Sequence, residues 1–356
     1  LLGVGPLAGV GATGALSFMV LGFCMGICNG FAIPIAQAFG ANDQVSLRKY
    51  IANSFWLTAL FSLVLTVPVC IFCRPILQLM STPEDVFEYA YQYIFIIFLG
   101  IPTVFLYNIL AGILRSLGDS RTPVIFLALS SALNIALDIV TIRLFHTGVG
   151  GPALATVISQ GVSGVVCYFY MKKRFSVLRM EPQERRPDGA MMKRLCYMGV
   201  PMGLQYSVTA IGSLIIQATM NGFGSTAVAG ATAANRINGF LACPIEALGA
   251  SMAPYTGQNL GAGRLDRITK GVVDASVCGF MCAGVLYGIV LLFGEPLVGI
   301  FLDEPDPQVI EYAIRFLNVV CAGYCLLTLV NVVRFSIQGM GFSMLAILSG
   351  VMEMFA

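Results

Sequence analysis

A single carboxylate stands in an otherwise apolar run: Asp138 in LNIALDIV, residues 133–140, with VIFLALSS before it and TIRLF after it. An ionised carboxylate at membrane depth costs about 2.5–3.5 kcal/mol on insertion scales, and intramembrane acids mark ion or proton pathways. Such a group either takes up a proton or stays ionised with a small cation beside it. Asn134 lies one helical turn earlier on the same face and offers an amide oxygen. The turn HTGVGG, residues 146–151, follows Asp138 by about two to three helical turns and precedes Thr156 by about one to two. Antiparallel neighbours would therefore carry the Thr156 hydroxyl toward Asp138. Carboxylate, amide and hydroxyl oxygens are hard ligands that suit sodium, and the carboxylate alone suits a proton. Asp138, Asn134 and Thr156 are the expected cation site, with Na+ as the metal ion it would hold.

The second half carries other polar groups at membrane depth: Glu246 in CPIEALGAS, Arg236 ten residues earlier in AANRI, then Arg334 and Glu353. Glu246 either faces a cavity and attracts cationic substrates, or pairs with Arg236 or Arg334. Gln205 lies in the first span of that half, and Glu246, Arg236 and Gln205 are the expected substrate-cavity residues. The 24 Phe, 13 Tyr and 16 Met supply adaptable apolar and aromatic surface for packing, and for organic cations.

Other chemistries find no residues. There is no G-x-x-x-x-G-K-[ST] phosphate loop, so ATP as an energy source is not expected. The single histidine, His146, and 11 scattered cysteines do not make a zinc site; the cysteines read as packing residues. No Ser/His or two-His motif points to an enzyme, no cofactor is expected, and a net charge of +2 implies no nucleic-acid partner.

The elements that hold these residues are membrane helices. The composition is 57% hydrophobic and only 11% charged, against about 25% charged in ordinary soluble domains. Apolar spans of membrane-crossing length fall near 13–38, 51–73, 91–114, 122–145, 151–171, 195–221, 226–256, 271–293 and 309–335, and a tenth begins near 343. Lipid offers no partners to backbone groups, so the spans are helices. Internal prolines (34, 68, 102, 201, 244 and 254) suggest kinks.

Alternate loops differ in charge. One set carries Arg48, Lys49, Arg115, Arg121, the cluster from Lys172 to Arg194, Arg264, Arg267 and Lys270; the other carries Glu84, Asp85, Glu88, Glu295, Asp303, Glu304 and Asp306. The basic set is expected in the cytoplasm. MEPQERRPDGAMMKR, residues 180–194, reads as a solvated linker with a capacity to meet lipid head groups.

The halves repeat. AQAFGAND answers GQNLGAGR, with Gln37 matching Gln258 (258 − 37 = 221). Asn108 matches Asn331 (331 − 108 = 223), and LRSLGDS answers IQGMGFS. Six spans separate the copies, an even number, so the repeats are parallel, an arrangement known among secondary transporters.

The segments QAFGAND, ILRSLGDSRTP, LNIALDIV, GPALATVISQ, AANRI and APYTGQNLGAG, in this order, resemble the multidrug and toxic compound extrusion (MATE) family across the whole chain. The resemblance implies an all-α polytopic membrane protein of two parallel-repeat helical lobes. Of the family's roughly twelve helices, nine would be complete here and a tenth begun, with the first and the last one to two lacking. The lobes would be residues 1–175 and 195–356, joined by the linker 176–194. In DinF-like members an Asn and an Asp four apart on the fifth helix and a Thr on the sixth form a cation site with a first-helix Asp; Asn134, Asp138 and Thr156 fit that spacing. NorM-like members place acids on the seventh and tenth helices, where this chain has Gln205, Gln217 and Arg334 instead.

The expected function is a monomeric antiporter of the bacterial plasma membrane, in contact with membrane lipid, coupling H+ or Na+ influx to efflux of drug-like amphipathic cations. A lipid-linked oligosaccharide flippase is the alternative, and would need Arg236 and Arg334 to face a cationic cavity. A membrane scaffold or channel is a third reading, disfavoured by the repeat.

Overall fold

The computed structural model describes residues 4–80, 82–145, 147–175, 178–300 and 306–355. His146, Asp303, Glu304 and the side chain of Glu353 lie outside the described residues. The first half comprises α1 (Val4–Ala12), α2 (Gly14–Gly40), α3 (Gln44–Ile71), α4 (Cys73–Leu79), α5 (Glu84–Leu99), α6 (Ile101–Ser116), α7 (Arg121–Arg143) and α8 (Gly150–Arg174). The second comprises α9 (Gly189–Asn221), α10 (Ser225–Gly261), α11 (Leu265–Gly299), α12 (Pro307–Ala322), α13 (Tyr324–Gly339) and α14 (Met344–Phe355). No strand occurs among the described residues.

Helices α2, α3, α7, α8, α9 and α11 are long and apolar enough to cross a membrane. Two further spans are bent pairs: α5 meets α6 at 46° and α12 meets α13 at 44°. The breaks fall at Gly100 and Gly323, and 323 − 100 = 223 is the offset of Asn108 and Asn331. α10 has 37 residues but is not among the apolar helices, for it carries Asn235, Arg236, Asn238, Glu246, Gln258 and Asn259. The expected spans thus each have a helix or a bent pair, with α14 as the tenth. Of the six prolines, Pro102 lies beside a sharp bend, two residues after Gly100. Helices continue through Pro34, Pro68, Pro201, Pro244 and Pro254; the bends above 40° fall at the two matched glycines, and α11 kinks at Phe293.

The repeated motifs build matched turns. Asn42 (φ 56°) and Gly263 (φ 69°) share one left-handed turn position at 263 − 42 = 221; Gly118 (φ 87°) and Gly341 (φ 104°) share the other at 341 − 118 = 223. Only Gly, and at some cost Asn, takes that conformation readily. The aspartates of GAND and LGDS start helices. Asp43 Oδ1 accepts from Ser46 N at 3.0 Å and Asp119 Oδ1 from Thr122 N at 3.0 Å, which satisfies first-turn donors.

One buried cluster runs from Leu16 to Leu195 through the first half, and a second from Ala234 to Tyr324 through the other. A third joins them, bringing Ile33 of α2 against Met202, Met252, Ala275 and Val332. Gly22, Gly26 and Gly30 of α2 form a stripe against α9. A Cβ at Gly26 would lie 2.5 Å from Met202 O, and one at Gly30 2.4 Å from Gly199 Cα. Small residues let membrane helices approach backbone to backbone, so this stripe sets how closely the halves join. All eleven cysteines are free, and Cys24, Cys28, Cys73, Cys167 and Cys321 are buried packing residues.

The connector after α8 is largely exposed, as its charges suggest, but it is also tied to α3. Glu184 is 6% exposed and pairs with Arg48 of α3 at 2.8 Å. Trp56 Nε1 donates to Arg185 O at 3.0 Å, and Asp188 N donates to Asn53 Oδ1 at 2.8 Å. The segment is therefore strapped along α3, and α9 already begins at Gly189, inside the stretch read as linker.

Glu184→Gln is expected to release the strap. Removing one partner of this pair costs about 2–3 kcal/mol, below the range for a fully buried pair, because the Arg48 side chain is 20% exposed. The emission of the single tryptophan, Trp56, should shift, and tryptic cleavage after Arg185 should quicken. The Arg48 guanidinium also holds the Glu184 carboxyl below its ordinary value of 4.5. A depressed folded-state value means that the contribution is full above the unfolded value and is lost as pH falls through the folded one. The same Trp56 shift should therefore appear in the wild-type protein on acidification below 4.5, and be absent from the pH profile of Glu184→Gln.

Candidate functional site

Asp119 caps the start of α7, which runs antiparallel beside α8. Asn134 Nδ2 donates to Thr156 Oγ1 at 3.2 Å, and the Thr156 hydroxyl donates to Pro152 O at 2.9 Å. The amide oxygen of Asn134 and one lone pair of Thr156 remain available as acceptors. Asp138 is half-buried, and its Oδ1 is buried without a hydrogen-bond partner. It enters none of the four ion pairs among the described residues. Tyr93 of α5 is close enough to feel its charge. The structure thus joins Asn134 to Thr156 and leaves the Asp138 carboxylate oxygen unpartnered one turn away. A buried carboxylate oxygen with no hydrogen-bond partner, on the same helix face as Asn134 and one turn from it, has the chemistry to take a proton or a small cation.

The expected substrate-cavity residues are not gathered in the same way. Gln205 is buried on α9 beside Gln338 of α13, 2.8 Å away. With the Gln205 amide turned over, its nitrogen faces Gln338 and its oxygen accepts from Arg334 at 3.2 Å. Arg334 also donates to Asn331. Glu246 is exposed on α10, within electrostatic reach of Arg334. Arg236 is exposed on the same helix ten residues away, about 15 Å along the axis and turned to a different face.

A polar group missed in the sequence lies where the halves meet. Arg115, read as a loop cation, is half-buried in the last turn of α6 and donates to Asn29 of α2 at 3.2 Å. Tyr206 of α9 lies near Asn29 and within electrostatic reach of Arg115, Arg334 and Glu246. A cation in a last helical turn ordinarily serves the helix dipole, so sequence held no sign that Arg115 turns inward. Asn29, seven residues from Gly22 within an apolar run, was the available signal.

At the basic ends of the helices the two halves grip each other reciprocally. Gln37 Nε2 donates to Gly339 O at 3.0 Å, and Gln258 Nε2 donates to Ser116 O at 2.9 Å. Donors and acceptors are both repeat mates: 258 − 37 = 221 and 339 − 116 = 223. Between them α2 and α10 touch at Gly40 and Gly261. A Cβ on the first would lie 1.9 Å from Gln258 O, and one on the second 2.0 Å from Gln37 O. Arg194 holds the other end of the Gln37 amide, at 2.7 Å.

The MatE family model matches residues 1–140 and 201–352. The chain belongs to the MatE family. This MatE chain is 29% identical over 347 residues to the probable multidrug resistance protein YoeA of Bacillus subtilis, covering 96% of this chain and 74% of YoeA. It is 30% identical over 310 residues to the probable multidrug resistance protein YpnP of the same organism, covering 86% and 68%. An FAD transporter of Shewanella oneidensis is 24% identical over 329 residues, covering 91% and 72%. A multidrug resistance MATE family transporter solved in an outward-facing conformation superposes with a TM-score of 0.88 at 23% identity, covering 98% and 77%. At that identity the likeness is one of fold.

The protein is accordingly a transporter and not an enzyme, a multi-pass protein of the bacterial inner membrane. In such a protein Thr156→Val leaves the Asn134 amide without its acceptor. Interhelical hydrogen bonds in membranes contribute about 0.6 kcal/mol on average and at most about 1.7. Thermal stability should change little. Should Thr156 help to hold a coupling cation, the cation concentration for half-maximal efflux should rise about three- to eighteenfold, the range that this energy spans at 1.4 kcal/mol per tenfold.

Proposed function

We propose that this MatE protein is a secondary exporter in which Asp138, with oxygen atoms from Asn134 and Thr156, binds the coupling cation, and in which residues 1–175 and 195–356 are the two lobes that alternate. The observation that carries this reading is the buried, unpartnered Oδ1 of Asp138. A bound H+ or Na+ removes its desolvation cost, and does so only in a packing of α7 and α8 that admits the ion. A ligand shifts an equilibrium by its differential affinity for the two states, so binding there biases the lobes. The reciprocal grip of Gln37 and Gln258 would form when the basic end is shut and break when it opens. The names of YoeA and YpnP support multidrug efflux. Amphipathic organic cations are the substrates first considered, with Glu246 as the exposed carboxylate available to them.

The test is reconstitution in liposomes with an imposed pH or sodium gradient, reading ethidium efflux. Efflux should follow one of the two gradients and collapse with it; equal efflux with neither gradient would overturn the reading.

A second reading concerns substrate polarity. Arg115 and Arg334 both lie near Tyr206 where the halves join, and an FAD transporter is among the relatives. These favour organic anions. Arg115→Gln should lower anion transport about ten- to a hundredfold, the loss expected for one charge-assisted hydrogen bond of roughly 1.5–3 kcal/mol, while ethidium efflux is unchanged or rises. A flavin dinucleotide and ethidium as paired substrates separate the two polarities.

A further inference from the structure

A cavity of about 810 Å³ lies between the first half of α3, the end of α8 and the strapped segment after it. Its wall is apolar and aromatic, and Trp56, Tyr168 and Phe169 are exposed upon it at 53%, 40% and 61%. Lys172, Arg179 and Arg185 line the same cavity. All three are exposed, and none belongs to an ion pair among the described residues. Arg185 reaches only a carbonyl, Met180 O at 3.2 Å, so its charge is left uncompensated. The cations are not on a loose tail: the Arg48–Glu184 pair and the Trp56–Arg185 bond fix the segment against α3.

Three facts therefore coincide in one place. An apolar recess opens on the exterior of two membrane helices. Trp and Tyr, the residues enriched at the membrane–water boundary, stand at its exposed edge. Uncompensated positive charge gathers at the basic end of those helices, and such clusters attract anionic lipids of the cytoplasmic leaflet. The geometry points to a binding site for one anionic phospholipid, its acyl chains along Val165 and Phe169 and its phosphate among Lys172, Arg179 and Arg185. The site is on the outer face of the first lobe, separate from Asp138, and does not depend on which ion or substrate the transporter uses. Its occupancy would tighten the strap that joins α8 to α9, and with it the connection between the lobes.

The experiment uses the purified protein, delipidated and returned to phosphatidylglycerol or phosphatidylcholine, with retained lipid counted by native mass spectrometry and stability read as Tm. The wild-type protein should retain one phosphatidylglycerol and gain Tm from it, with no comparable response to phosphatidylcholine. The triple variant Lys172→Gln, Arg179→Gln, Arg185→Gln should lose retention about a hundredfold, since each basic residue near an anionic surface contributes about a factor of five. Its Tm in phosphatidylcholine should equal that of the wild type, which shows that it is folded. Val165→Trp, which fills the apolar recess from an exposed position and leaves every charge in place, should lose retention as well. Retention by the triple variant, or equal retention of phosphatidylcholine, would overturn the site. So would retention by Val165→Trp, which means adsorption to charge alone, or a Tm gain from inorganic phosphate equal to that from the lipid.

Discussion

In proteoliposomes, Asp138→Asn is expected to abolish the dependence of efflux on the cation gradient while the protein remains inserted and folded. Coupling free energies between sites are commonly about 1–3 kcal/mol, or about 5- to 150-fold in affinity. Removal of the one group that carries the charge should forfeit all of it, so gradient-driven efflux falls about a hundredfold. Stability should move in the opposite sense or not at all. Asp138 Oδ1 accepts no hydrogen bond, so the substitution breaks none there, and a neutral amide avoids the cost of about 2.5–3.5 kcal/mol that an ionised carboxylate meets at membrane depth. The two readouts separate a coupling role from a structural one. A Tm that drops while gradient-driven efflux persists would make Asp138 a brace between helices, and the exporter mechanism would lose its ion site.

Gly40→Val, and equally Gly261→Val, should prise the halves apart at the basic end. The obstacle to each new side chain is a backbone carbonyl, Gln258 O in one case and Gln37 O in the other, at 1.9 and 2.0 Å from the Cβ position. No rotamer relieves such a collision; only separation of α2 from α10 does. Overpacking costs about 1–3 kcal/mol and sometimes more. The whole penalty falls on the state in which this end is shut. The population should shift about ten- to a hundredfold toward the open form, at 1.4 kcal/mol per tenfold. Hydrogen exchange at residues 37–41 and 258–262 should quicken and efflux should fall. Gly284→Val on α11, where a Cβ meets nothing within 4 Å, is the matched control and should leave both unchanged. Normal exchange and efflux in Gly40→Val would mean that the contact is not made in the working cycle.

The residues that determine these two outcomes were unequally visible beforehand. Asn134 and Asp138 are four apart on one helix, and a six-residue turn brings α8 back beside it; helical pitch places Thr156 across from Asn134, and the two are hydrogen-bonded. Composition and the recurrence of apolar spans forecast an all-helical membrane chain, because lipid leaves a backbone no other choice. The repeat was legible for a similar reason. Asn42, Gly118, Gly263 and Gly341 occupy left-handed turn positions, and the steric demand of a local turn is met by local residue type.

What tertiary structure decided is who faces whom across the two halves. Arg115 looked like one more loop cation until α2 brought Asn29 to it. The charged linker looked untethered until α3 offered Arg48, Asn53 and Trp56 together. The reciprocal bonds of Gln37 and Gln258 span 302 and 142 residues. The sequence by itself determined the helices, their turns and the place of the Asp138 carboxylate within an apolar span, since those follow from interactions within a few residues. It did not determine the seam between the lobes, since a side chain's partner there is set by the packing of helices distant in the chain, and residue type alone carries no record of that distance.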